Sequence, residues 1–351
     1  MCASIAVAMS GGVDSSAAAW LLKQEGHNIL GLTVEMFHRD CPFQDIADAK
    51  AVADHLGFPH RAFDFSPHFR EAVMDPFAAA YERGTTPNPC VDCNRTIKFG
   101  ALLDKALELG QDALATGHYA RIERSPGGRY LLRKALHPAK DQSYVLWVLD
   151  QFQLSHAKLP LGSLSKDEIR AIAVENGLVT AHKSDSQDIC FVPDGDYAGF
   201  IRRHTGREYP TGQFLSPDGR VLGEHQGIVN YTLGQRRGLG VSSNQGRLYV
   251  TGIDPIANTV TLGPNEDLFV RELTARSINL IPFDTISAPM RLKAKVRYRM
   301  AEQPCTVEQT GADELRVIFD QPQRAVTPGQ SVVLYDGEYV VGGGVISPTR
   351  V

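Results

Sequence analysis

Up to about residue 190, short apolar runs alternate with stretches of helical periodicity, the pattern that a mostly parallel sheet covered by helices requires. The run Ile5 to Met9 predicts a buried strand, and Ala17 to Leu22 lies in the helix expected after it. Further strands are expected at His27 to Phe37, His60 to Phe65 and Asp112 to Thr116. Helices are expected from about Asp45 to Leu56, closed by Gly57, around Phe69 to Arg83, and from about Arg95 to Leu109, stopping at Gly110. Ser125 to Gly128 interrupts two short extended runs and predicts a hairpin over Arg121 to Arg133. Ser165 and Glu168 have the spacing of a capping box, opening a helix that ends at Asn176 and Gly177. Beyond about Tyr197, short extended segments take over, with turn chemistry in SPDG at Ser216, in YTLGQRRGLG from Tyr231 and in DG at Asp336. They predict two small β-rich modules. The expected division is an α/β domain over residues 1–196, a central β-rich domain over 197–266 and a last β-rich domain over 267–351.

A chain of 351 residues exceeds what one core commonly organises, in keeping with such a division. Hydrophobic content of 43% and charged content of 22% are those of a globular protein, and no apolar run approaches the roughly 18 residues of a membrane span. The apolar start at Ile5 lacks the basic flank and cleavage site of a signal peptide, so a cytoplasmic location away from membranes is expected. Six cysteines over this length suit thiols, metal ligands or redox centres better than a disulfide scaffold. A net charge of -4 gives no global signal for nucleic acid, so any RNA would have to meet a local basic surface.

The strand, glycine loop and helix start around Ser10 to Ser16, SGGVDSS, form a place to hold phosphates. Gly11 and Gly12 let backbone approach a ligand, the first N–H groups of the helix face an anion, and Ser10, Ser15 and Ser16 add hydroxyls. A Walker loop would carry a lysine, and none occurs before Lys23. The segment instead resembles the pyrophosphate loop of ATP pyrophosphatases, which cut ATP between its α and β phosphates. An ordinary glycine turn is the plainer alternative.

Cys90 and Cys93 in NPCVDCNRTIKF and Cys190 in KSDSQDICF are the candidate thiols. Cys93, placed just before a helix expected near Arg95, should have a lowered pKa and act as nucleophile. Against this stand a structural role for Cys190 and a zinc knuckle at Cys90 and Cys93, although one CxxC lacks the four ligands zinc usually takes. In ATGHYAR, Gly117 and His118 follow a strand end, where ligands of open α/β sheets bind. Lys140, Asp141 and Gln142 form a polar cluster that could equally be a solvated loop. From Arg291 to Arg299, five cations alternate with Leu292, Ala294, Val296 and Tyr298, which predicts a strand with one basic face for RNA, or a charged edge that resists aggregation.

Together SGGVDSS, NPCVDCNRTIKF, ATGHYAR, KDQSY, DSQDICF, GQRRGLG and PGQS resemble the bacterial tRNA-specific 2-thiouridylase family through almost the whole chain. The resemblance implies a parallel-sheet PP-loop domain of the adenine nucleotide α-hydrolase type, a small central β domain and a C-terminal β-barrel that binds tRNA. It implies a tRNA-uridine 2-sulfurtransferase using ATP and Mg2+: the uracil 2-oxygen of the wobble uridine is adenylated, and sulfur then displaces AMP. ATP contacts are implied for Ala8, Met9, Ser10, Gly11, Gly12, Val13, Asp14, Ser15, Met36 and Gly117. Asn88, Pro89 and Cys90 fall at the target base, and His118, Lys140, Asp141, Gln142, Arg297, Tyr298 and Gln330 at the tRNA anticodon stem-loop. Cys190 is the implied carrier of a persulfide from a sulfur-donor protein, and Cys93 the nucleophile, the two ending as a redox disulfide. Many members have aspartate where this chain has Cys90, so a [4Fe-4S] cluster on Cys90, Cys93 and Cys190 stands as an alternative. Cys2, Cys41 and Cys305 fit neither role. Rival readings are another adenylating pyrophosphatase, such as an amidotransferase-type ligase or a lysidine synthetase, and an inert RNA-binding protein.

Overall fold

The computed structural model describes residues 2–37, 43–183, 188–241 and 246–348; Cys41 and residues 184–187 of the KSDSQDICF motif lie outside them. Strands β1 (Ser4–Ala8), β2 (Asn28–Glu35), β3 (His60–Asp64) and β4 (Ala113–Ala115) are followed by a hairpin, β5 (Ala120–Arg124) and β6 (Tyr130–Lys134), and by the short β7 (Ala157–Lys158). All but the hairpin join one parallel sheet in the order β3-β2-β1-β4-β7. Alternation along β1 serves two cores, because the sheet is covered on both faces. Ile5 and Val7 pack with Ala17 and Leu22 of α1 (Val13–Gln24), Val52 of α2 (Phe43–Leu56) and Ile169 of the helix Lys166–Glu175. Ala6 faces the other way, onto Phe99, Leu102 and Trp147. The capping box at Ser165 and Glu168 is present as the spacing predicts.

Three local readings change. The helix expected near Arg95 begins at Pro89: the Asn88 side chain accepts from the Cys90 N–H at 3.2 Å, and proline occupies the first helical position, where its missing N–H costs nothing. Helical winding continues as a π-helix over Cys93–Leu102, kinked at Gly100 where the backbone is non-helical, and returns to α over Leu103–Glu108. A helix also forms at Tyr197–Thr205, where only extended segments are expected from the sequence, capped by the Asp196 carboxylate accepting from the Gly199 N–H at 2.9 Å.

The middle region has β8 (Gly212–Leu215), β9 (Val221–His225), β10 (Tyr249–Asp254) and β11 (Thr259–Gly263), ordered β10-β11-β8-β9. Six further strands, β12 (Phe269–Leu280), β13 (Met290–Lys295), β14 (Gln303–Gly311), β15 (Glu314–Arg324), β16 (Ser331–Asp336) and β17 (Tyr339–Ile346), run in the order β12-β15-β14-β13-β16-β17. β12 pairs back onto β17, closing a barrel. The early hairpin extends this same sheet, with Arg133 of β6 opposite Tyr339 of β17. Arg129 in the hairpin turn reinforces the join, donating to the Ile281 carbonyl at 3.0 Å and to Asp284 at 2.9 Å.

The basic strand is shorter than its alternation suggests. Leu292, Ala294 and Val296 are buried as predicted, yet β13 ends at Lys295, so Arg297 and Arg299 lie in the turn beyond and the five cations do not share one strand face. Arg291 is held by Asp320 at 2.7 Å, whereas Lys293 is exposed. Among the described residues no helix is long and apolar enough to cross a membrane.

Candidate active site

Between β1 and α1 the loop turns at Gly11, whose φ of +68° suits glycine and whose missing Cβ would sit 2.5 Å from the Asp45 carbonyl oxygen. Gly12 supplies no side-chain cap to the first N–H groups of α1. The hydroxyls set the loop's shape: the Ser10 N–H donates to Ser15 Oγ at 3.1 Å, and the Ser15 and Ser16 hydroxyls donate to the Gly12 carbonyl at 3.1 and 2.9 Å. Ala8 and Met9 lead into the loop, Met9 held by its N–H to the Leu32 carbonyl at 2.8 Å, and Val13 is buried behind it. Asp14 accepts from the Tyr119 hydroxyl at 2.7 Å and from Lys166 at 2.8 Å. Gly117 closes on the same place, since a Cβ there would lie 2.9 Å from Asp14 C and Ser15 N. Met36 stands half-buried just past the end of β2.

The thiols depart from expectation in their chemistry. Cys93 lies one turn inside its helix, beside Phe69, Phe77 and Ile97, and burial pushes its thiol up to about 12. The expected lowering fails because Cys93 is not at the helix end and Arg95 is paired with Asp92 at 3.2 Å. Cys90 touches solvent, but the surrounding protein still raises its thiol, and Cys190 is exposed. Cys90 and Cys190 are nonetheless electrostatic neighbours of Cys93, so residues nearly a hundred positions apart come within electrostatic range. Among the described residues no three His, Cys, Asp or Glu side chains are arranged to hold a single metal ion. Lys98 is a neighbour missed by the sequence reading. The i→i+5 bonding of a π-helix turns it closer to the side of Cys93 than an α-helix would, and its charge acts on Cys90, Cys93 and His118.

Asn88, Pro89 and Gln330 line one cleft of about 600 Å³, with Tyr81, Tyr197 and Gln235 on its other sides. The two tyrosine rings stack, their centroids 6.4 Å apart. Neither tyrosine stood out in the sequence, because their pairing depends on the Tyr197 helix. Gln330 reaches across, donating to the Thr86 and Pro87 carbonyls at 2.9 and 3.0 Å. His118 is buried, bonded to Thr116 Oγ1 at 2.7 Å, and burial holds its imidazole neutral. The Gln142 side chain accepts from the Tyr119 N–H at 2.9 Å, and the Asp141 carboxylate accepts from Ala135 N–H at 2.9 Å and from the Ser143 hydroxyl at 2.9 Å. Lys140 beside them is half-buried. Tyr298 is exposed and donates to the Asp141 carbonyl at 3.2 Å, while half-buried Arg297 donates to the Ala325 carbonyl at 2.6 Å.

Comparison with known proteins agrees with this organisation. Residues 3–194 match a family described as tRNA methyl transferase HUP domain, 198–264 a tRNA methyl transferase PRC-barrel domain, and 270–346 an aminomethyltransferase beta-barrel domain. The tRNA-specific 2-thiouridylase MnmA of Clostridioides difficile (strain 630) is 46% identical, covering 97% of both chains. MnmA 2 of Thermoanaerobacter sp. (strain X514) is 48% identical, again over 97% of both. Among solved structures, the U34-tRNA thiolase NcsA from Methanococcus maripaludis with its [4Fe-4S] cluster is similar over 58% of this chain and 67% of its own, at 19% identity and a TM-score of 0.37, too slight a likeness to carry argument. Matched from residue 3 to residue 346 by those models and nearly end to end by those relatives, the chain belongs to the tRNA-specific 2-thiouridylase family.

Proposed function

We propose that this protein replaces the 2-oxygen of the wobble uridine of tRNA with sulfur in an ATP-dependent reaction. One observation carries the reading: Gly117 abuts the phosphate loop, and the next residue, His118, shares the charged neighbour Lys98 with Cys90 and Cys93. These proximities support a reading in which an adenylating loop and the thiols serve one space at the carboxyl edge of the sheet.

Uracil's 2-oxygen is amide-like and a poor leaving group. It attacks the α-phosphorus of ATP, the bond to pyrophosphate breaks, and pyrophosphate stays on the Ser10 to Ser15 loop. Met36 and Gly117 flank the adenosine. The target base, turned out of its stack, enters the cleft at Asn88 and Pro89, next to Cys90 and against the stacked pair of Tyr81 and Tyr197. Cys190 carries a persulfide delivered by a donor protein. The Cys93 thiolate attacks the Cys190 sulfur, forming a disulfide and releasing hydrosulfide, which adds to carbon 2 and expels AMP with the former 2-oxygen. Two electrons from an external thiol reductant then restore both cysteines. Magnesium commonly takes one or two carboxylates besides substrate phosphates, and Asp14 is the carboxylate in place.

The division at 1–196, 197–266 and 267–351 assigns catalysis to the first part and tRNA docking mainly to the last. His118, Lys140, Asp141, Gln142, Arg297, Tyr298 and Gln330 serve the RNA, several through the backbone that they hold, and the setting is the cytoplasm. The test is nucleoside mass spectrometry after incubating unmodified tRNA, ATP and a persulfide source with anaerobically purified enzyme. Wild type should form 2-thiouridine with matching AMP, and Cys90→Ala should retain activity. Loss of activity together with iron in Cys90→Ala would transfer the sulfur step to a three-cysteine cluster, and no thiolation by wild type under any sulfur supply would overturn the reading.

A further inference from the structure

The phosphate loop contains no lysine, yet the fold brings one to it. Lys166 is the first residue of the helix Lys166–Glu175, and its ammonium donates to both carboxylate oxygens of Asp14, at 2.8 and 2.9 Å. Its position opposes two ordinary preferences. The residue is only 8% exposed, and a cation at a helix N-terminus faces the positive end of the helix dipole. The capping box of Ser165 and Glu168 already completes that helix end, so Lys166 is not needed there. Stability is also a weak reason for this pair, whose Asp14 side chain is 31% exposed, because partly exposed ion pairs contribute little.

We propose that Lys166 is the phosphate-binding lysine of this site, exchanging Asp14 for the β- and γ-phosphate oxygens of a nucleoside triphosphate and then holding the pyrophosphate. The inference rests on reading residues 10–15 as the nucleotide loop. Asp14 sits in the first turn of α1, where an arriving polyphosphate would be repelled by its carboxylate. A lysine already in contact with that carboxylate stands beside the anion's place, and lysine serves phosphates as a compact point charge.

The test is calorimetric titration of the full-length protein with pyrophosphate, ATP and AMP. Lys166→Met should weaken pyrophosphate and ATP binding about ten- to a hundredfold, the range expected for one charge-assisted hydrogen bond, while AMP binding is unchanged. Lys166→Arg should recover part of the loss. The double variant Asp14→Asn, Lys166→Met, free of the stranded carboxylate, should melt like wild type without regaining wild-type pyrophosphate affinity. Pyrophosphate binding by Lys166→Met equal to wild type, or equal losses for AMP and pyrophosphate, would overturn the proposal. Wild type binding neither ATP nor pyrophosphate would instead defeat the nucleotide reading beneath it.

Discussion

Gln330, in the turn before β16, donates to the carbonyls of Thr86 and Pro87, and the Thr86 N–H returns a 2.9 Å bond to the Pro328 carbonyl. The barrel thereby holds the loop whose next residues, Asn88 and Pro89, line the cleft. Gln330→Ala removes two bonds worth about 1–3 kcal/mol together. It should lower kcat/KM for tRNA while leaving the affinity for ATP alone unchanged, as read by AMP formation against tRNA concentration and by nucleotide titration. Equal loss of ATP affinity would place the effect in the fold rather than in the cleft.

Gly117→Ala should damage the nucleotide site directly. The added carbon meets backbone atoms of Asp14 and Ser15 at 2.9 Å, which no side-chain rotation relieves, so the first turn of α1 must shift. Overpacking of this kind costs about 1–3 kcal/mol, and the KM for ATP should rise by at least about tenfold. An unchanged KM and melting temperature would contradict the close packing of these two segments.

Cys93 should be a slow thiol in the resting enzyme. With its pKa pushed up to about 12, the neutral thiol dominates at neutral pH, and the thiolate amounts to roughly one part in 100,000 at pH 7. Iodoacetamide labelling followed by peptide mass spectrometry should find exposed Cys2 and Cys190 modified first. Cys93 labelling should climb about tenfold per pH unit between about pH 8 and 11. Labelling of Cys93 as fast as Cys2 at pH 7 would contradict its burial.

What the sequence made legible was local. SGGVDSS is contiguous, so strand, loop and helix start follow from one segment, and Ser165 with Glu168 form their capping box within a single turn. Contacts that join distant segments left no trace: Lys166 meets Asp14 across 152 positions, and the β5–β6 hairpin joins a barrel encoded more than a hundred residues later. Lys98 was hidden for a different reason, because on an ordinary α-helix it would point away from Cys93. The Tyr197 helix was masked by PDGD, whose Asp196 reads as turn chemistry and acts as a cap.

Arg297 and Lys293 of the basic segment differ in what holds them. Arg297 is half-buried and bonded to the Ala325 carbonyl and the Thr327 hydroxyl, so Arg297→Ala should destabilise the barrel by about 1–3 kcal/mol. Lys293 is exposed, and Lys293→Glu should weaken tRNA binding and lessen its salt dependence by roughly one phosphate contact, with the melting temperature unchanged. Filter binding over a salt series with thermal melts checks both. Identical tRNA affinity in Lys293→Glu would leave the strand as a charged edge only.

The chemistry is tested most directly by following the displaced oxygen. Unmodified tRNA carrying oxygen-18 at the 2-position of the wobble uridine is converted in ordinary water with ATP and a persulfide source, and the AMP is weighed by mass spectrometry. If the uracil oxygen is adenylated, each AMP carries one oxygen-18 as 2-thiouridine appears. Unlabelled AMP alongside thiolated tRNA would mean that ATP is cleaved without activating the base.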